Sequence, residues 1–139
     1  MLDSMFHKKR GGRILIVDDE PNILHLVSKF LRCQGYDVIT AASGEEGLEK
    51  AINEKPDVIL LDVNMPIING YQMLNYIRNN PELKDIPVIM LTAFSEAEDV
   101  NTAVSYDITD YITKPFDFVY LCEKITQALQ SGRKHKARK

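Results

Sequence analysis

Tryptophan is absent, and cysteine occurs only twice in the 139 residues, at Cys33 and Cys122. Two thiols set in helical patterns among apolar neighbours exclude a disulfide-stapled scaffold; they read as buried free thiols of a reducing compartment. Long apolar runs are also missing. No stretch approaches the roughly 18 to 20 residues that cross a bilayer, and Met1 to Gly12 lacks the apolar core of a signal peptide. A cytoplasmic location without membrane attachment is the expectation. Glycine and proline, at 7 and 6, are in no excess. With 45% hydrophobic and 27% charged residues the composition is that of a globular protein. The length suits one domain with a single core and leaves no room for a second.

Basic charge is scarce in the body of the chain. Residues 11 to 132 hold nine Lys and Arg against nineteen Asp and Glu, while Lys8, Lys9, Arg10 and the tail from Arg133 to Lys139 carry the rest. An acidic body is a poor binder of nucleic acid. The expected organisation is a flexible N-terminal extension over 1–11, one domain over 12–131, and a basic tail or linker stub over 132–139.

What the sequence does have is a recurring short apolar run. Ile14 to Val17, Val58 to Leu61 and Val88 to Leu91 are unbroken, and Val38-Ile39 and Tyr111-Ile112 are shorter. Runs without alternation mark strands covered on both faces, as in a parallel sheet, and the two short runs suit its edges. Between them lie helical patterns. Ile23, Leu26, Val27, Phe30 and Leu31 return at steps of three and four, as do Phe118, Leu121, Cys122, Ile125 and Leu129. Ser43 with Glu46, and Ser95 with Glu98, have the spacing of a capping box, and Asn69-Gly70 reads as the turn opening a helix over about 71–79. The sum is a βα unit repeated five times: an α/β fold with helices on both faces of a parallel sheet.

Chemistry gathers where the strands end. The first runs into Asp18-Asp19, the third into Asp62, the fourth into Thr92, and the fifth is followed by Lys114. In an open doubly wound sheet ligands bind outside the carboxyl ends of the strands, so these side chains are expected to converge. Singly, each has a structural explanation. Asp18-Asp19 suits the start of a helix at Pro21, Asp62 a turn, Thr92 a strand end, and Lys114 a solvated surface. Jointly they do not, because three converging carboxylates resist ionisation unless a cation holds them. An all-oxygen donor set selects a hard ion such as Mg²⁺. Mg²⁺, a free carboxylate, a hydroxyl and an ammonium together suit phosphoryl transfer, with Asp62 as nucleophile and Thr92 and Lys114 stabilising charge on the phosphoryl oxygens.

Four motifs carry a resemblance that spans about residues 12 to 131: Ile14 to Pro21 (ILIVDDEP), Pro56 to Pro66 (PDVILLDVNMP) with Gly70, Ile89 to Ala93 (IMLTA), and Asp110 to Phe116 (DYITKPF). In this order and spacing they resemble the response-regulator receiver domain of two-component signalling. The resemblance implies a flavodoxin-like sheet of strand order 2-1-3-4-5. It implies Mg²⁺ held by Asp18, Asp19, Asp62 and the backbone carbonyl of Asn64, and a phosphoryl group accepted by Asp62. Thr92 and Tyr111 correspond to the family's switch pair, Lys114 to the residue that meets the phosphoryl group, and the bond to Pro115 to one that is often cis. The implied donor is a phosphohistidine on a sensor histidine kinase or phosphotransfer protein. The implied output is a surface of the fourth helix, fifth strand and fifth helix that signals to an effector or output domain and would allow a homodimer. Such a domain is a switch that catalyses its own phosphorylation and dephosphorylation.

The chain departs from the family pattern where Asp107-Ile108, after Ser105-Tyr106, replaces the usual Gly-Ala, adding bulk near the output surface. Phe94 is larger than is usual two positions after the switch threonine, and would screen an acyl phosphate from water. Two other readings stay open: a phosphorylation-independent interaction module, and a haloacid-dehalogenase-like phosphatase. The second needs a general acid two positions after the nucleophile, where this chain has Asn64, an amide that cannot supply the proton.

Overall fold

In the computed structural model the described residues are 11–93 and 108–137, with side chains described to Ser131. Five strands, β1 (Arg13–Val17), β2 (Asp37–Ala41), β3 (Val58–Asp62), β4 (Val88–Thr92) and β5 (Asp110–Thr113), form one sheet of order β2-β1-β3-β4-β5. Every neighbouring pair is parallel. The two shortest apolar runs do occupy the edges. Described helices are α1 (Pro21–Cys33), α2 (Gly44–Glu54), α3 (Gly70–Arg78) and α4 (Phe118–Ala137). The capping box expected at Ser95 and Glu98, together with Phe94, Tyr106 and Asp107, lies outside the described residues, as does 1–10.

Strand alternation divides the core in two. Ile14, Ile16, Val58, Leu60, Ile89 and Leu91 pack with Val27 and Leu31 of α1 and Leu121 and Ile125 of α4. Leu15, Val17, Ile59, Leu61, Val88 and Met90 face the other way, onto Ala51 of α2 and Met73, Leu74 and Ile77 of α3. Because successive side chains point to opposite faces, an unbroken apolar strand fills both cores at once. Ile108 also packs against the second core, so its bulk is turned inward.

Local chemistry fixes where the helices start. Ser43 Oγ accepts from Glu46 N at 3.1 Å. The Glu46 carboxylate reaches one residue further back than a standard box and accepts from Ala42 N at 2.6 Å. Asn69 and Gln72 form a complete box, each side chain accepting from the other's backbone N–H at 2.9 Å. One sequence expectation needs correction. Cys33 is exposed, not buried, and Cys122 is half-buried; two helical steps from buried Leu31 rotate Cys33 by about 200°, away from the core. The helix starting at Phe118 runs on to Ala137, into the stretch of basic residues at the end of the chain. Lys and Arg are good helix formers and suit the negative end of a helix dipole.

Gly70 links fold and site. Its N–H donates to Val63 O at 2.9 Å, and a methyl there would press on the Asp62 carbonyl oxygen and stand 2.9 Å from Val63 Cα. The obstacle is backbone on both sides and cannot rotate away. Gly70→Ala is therefore expected to cost about 1–3 kcal/mol, read as a lower urea midpoint. An unchanged midpoint would mean that the segment following Asp62 tolerates displacement.

Candidate functional site

The sheet ladder carries the key side chains just past its own end. Asp18 N–H donates to Ala41 O at 3.1 Å, Val63 N–H to Leu91 O at 2.9 Å, and Lys114 N–H to Thr92 O at 2.6 Å. Each bond prolongs the parallel pairing by a residue, so Asp18, Asp62, Thr92 and Lys114 leave neighbouring strands on the same edge. Asp18, Asp62 and Thr92 are buried, at 0%, 4% and 2% exposure. Asp18, Asp19 and Asp62 each bring a carboxylate oxygen to one point, all within 4.8 Å of one another. Asp18 is thus no simple cap: the N-cap of α1 is Glu20, whose N–H donates to Asp18 Oδ1 at 2.9 Å.

The Lys114 ammonium faces this cluster. Its Nζ donates to Asp18 Oδ2 at 2.7 Å and lies 3.5 Å from Asp62 Oδ1. Glu20 Oε1 is 3.4 Å from the same nitrogen. Sequence reasoning missed that contact, although three consecutive acids, Asp18 to Glu20, were there to suggest it. Asn64 is exposed, and its N–H donates to Asp62 Oδ1 at 3.2 Å, so this position contributes backbone while its side chain faces out. The Lys114–Pro115 bond is cis, as the resemblance implied.

The electrostatics follow from this crowding. Burial, and then the charge of Asp18, push the Asp62 carboxyl up to about 6 from the ordinary 3.8, against the opposing pull of Lys114 and of the Asn64 N–H. Burial alone would lower the Lys114 ammonium. The hydrogen bond and charge of Asp18, then Asp62 and Glu20, overcome it and hold the lysine above its usual range. One lysine therefore does not satisfy the cluster. All the donors are carboxylate oxygens within 4.8 Å of one another, a set that fits Mg²⁺ and offers nothing to a soft metal.

Tyr111 lies on β5, paired with Met90 of β4, and its ring packs against the α2/α3 core. Alternation puts Met90 and Thr92 on one face of β4, so the Tyr111 ring and the Thr92 side chain stand on the same side of the sheet. The Tyr111 hydroxyl is 3.1 Å from that of Tyr71 on α3, a contact that no motif or spacing suggests.

Comparison with known proteins agrees with this geometry. The family model of the response regulator receiver domain matches residues 14–126. The chain is 38% identical over 118 residues to the DNA-binding dual master transcriptional regulator RpaA of Synechocystis, covering 85% of this chain and 49% of that protein. To the alkaline phosphatase synthesis transcriptional regulatory protein PhoP of Bacillus subtilis it is 44% identical over 104 residues, 75% of this chain and 42% of the other. The chain thus spans about half the length of the curated relatives it matches. Among solved structures, the chemotaxis protein CheY4 of Vibrio cholerae superposes with a TM-score of 0.79 at 35% identity, covering 84% of this chain and 98% of that one. A CheY-like receiver domain protein of Methanospirillum hungatei gives 0.81 at 32%, covering 88% and 97%. Strand order, acidic cluster, facing lysine and family match coincide on one conclusion: this chain belongs to the response regulator receiver domains.

Proposed function

We propose that this receiver takes a phosphoryl group on Asp62 and uses the resulting acyl phosphate as a signalling switch. The observation that carries the reading is the meeting of three carboxylates within 4.8 Å, faced by an ammonium 3.5 Å from Asp62. A carboxylate oxygen of Asp62 attacks phosphorus; the new P–O bond forms as the P–N bond of a phosphohistidine breaks and the imidazole departs. The donor would be a sensor histidine kinase or a phosphotransfer protein. Lys114, anchored by Asp18 at 2.7 Å, is within reach of a phosphoryl oxygen on Asp62. Thr92, buried at the end of β4, supplies a hydroxyl from the neighbouring strand. Such positioning and charge stabilisation supply most of what phosphoryl transfer asks of a protein.

Asp18, Asp19, Asp62 and the Asn64 carbonyl would hold Mg²⁺, which when bound neutralises charge on the transferring group. Thr92 and Tyr111 would report phosphorylation to the output surface. That surface comprises β5, α4 and the segment between β4 and β5, most of which lies outside the described residues. A partner, an output domain or a second receiver would bind there, in the cytoplasm; no helix among the described residues is long and apolar enough to cross a membrane.

The absence of tryptophan makes tyrosine emission the natural probe. Mg²⁺ is expected to change it saturably, and beryllofluoride, a phosphoryl mimic, to change it further only when Mg²⁺ is present. EDTA should reverse both. A chain that works without phosphate would bind no beryllofluoride, and that result would overturn the proposal.

A further inference from the structure

Tyr71 and Tyr111 come from elements 40 residues apart, and their hydroxyl oxygens lie 3.1 Å from each other. Both rings are half-buried against the α2/α3 core. A phenolic hydroxyl can donate or accept, so one of the two donates to the other, and that bond fixes both rings in direction as well as depth. Tyr71 is also the residue after Gly70, whose backbone rests on the acceptor's own carbonyl and donates to Val63 O at 2.9 Å. The Tyr71 ring is therefore carried by the first turn of α3, where the loop that follows Asp62 ends, and its oxygen meets the aromatic residue on β5.

From this juxtaposition we infer that Tyr71 is a positioning residue of the switch: its hydroxyl latches Tyr111 in the inward, core-packed orientation and ties that orientation to the Asp62–Gly70 loop. The inference rests on the reading of Asp62 as acceptor and of Tyr111 as switch, and adds to it a second route from acceptor to β5, through α3 and not through Thr92. A ligand shifts an equilibrium only by its differential affinity for the two states, and the shift is reciprocal. If phosphorylation favours the inward ring, a bond that also favours it tightens the phosphoryl mimic. Losing that bond loosens the mimic by the worth of one part-buried neutral hydrogen bond, about threefold to tenfold.

The test is a cycle of four proteins: native, Tyr71→Phe, Tyr111→Phe and the double variant. Each substitution removes one oxygen and leaves the ring to pack. Beryllofluoride affinity with saturating Mg²⁺ is read by calorimetry, and urea stability without divalent cation is read beside it. Tyr71→Phe is expected to weaken the mimic about threefold to tenfold while Tyr111 is intact, and to weaken it markedly less when Tyr111→Phe is already present. A merely structural α3 contact would give the same loss in both backgrounds, and that outcome, or no loss in the first, overturns the inference. A native protein that fails to bind the mimic at all would instead defeat the acceptor reading and the inference with it, while the stability cycle would still show the two hydroxyls coupled.

Discussion

Asp62→Asn is expected to end phosphate incorporation and, in metal-free buffer at neutral pH, to make the protein more stable. Loss of incorporation follows from chemistry, since an amide oxygen is no nucleophile for this transfer. The gain in stability follows from the site's electrostatics. Burial and the charge of Asp18 hold the Asp62 carboxyl at about 6, above the ordinary 3.8. A folded-state value above the unfolded one means that the native protein binds the proton more tightly. The contribution of this group to stability is then fully present below about pH 4 and is lost as pH rises through about 6. Each unit is worth about 1.4 kcal/mol, so at pH 7.5 an ionised Asp62 costs the metal-free protein about 1–3 kcal/mol. Asparagine keeps the shape and removes the charge. Urea unfolding in EDTA should show the variant ahead at pH 7.5 and close to the native protein at pH 4.5. A variant less stable than native at pH 7.5 would mean that Asp62 is already compensated without a metal.

Lys114→Met should act in the opposite direction. Lys114 is only 12% exposed and spans Asp18 at 2.7 Å and Asp62 at 3.5 Å. Its removal leaves buried carboxylates without their ammonium, a situation that costs about 3–5 kcal/mol. Mg²⁺ should recover part of this loss, because a divalent cation answers the same charge. It should not recover the rate. Losing a fixed positive group aimed at the phosphoryl oxygens lowers transfer by about 10²–10³, measured as incorporation from acetyl phosphate at saturating Mg²⁺. Full activity in the variant would assign Lys114 a purely structural role as the tether of Asp18.

These two side chains also illustrate how far the sequence can be read. Asp18, Asp62 and Lys114 each follow an apolar run, and a parallel sheet leaves such residues no place but a common edge, so their meeting is legible before any coordinates. Edge positions for β2 and β5 follow from run length, and helix starts from Ser43 and Asn69. Burial of Cys33 is misjudged because apolar neighbours in sequence lie around a helix, not on one side of it. Glu20 beside Lys114 is missed because its contact depends on how α1 leaves β1. The hydroxyl pair of Tyr71 and Tyr111 is out of reach altogether, since two rings from α3 and β5 meet only once both elements are packed on the second core.

Which carboxylate carries the phosphoryl group decides whether the switch works as proposed. Acyl phosphates are reduced by borohydride to the alcohol, whereas free carboxylates are not. Protein treated with acetyl phosphate and Mg²⁺, reduced and mapped by peptide mass spectrometry, should carry homoserine at position 62 and retain aspartate at 18 and 19. Homoserine arising from Asp18 or Asp19, or at no position, would refute Asp62 as the acceptor.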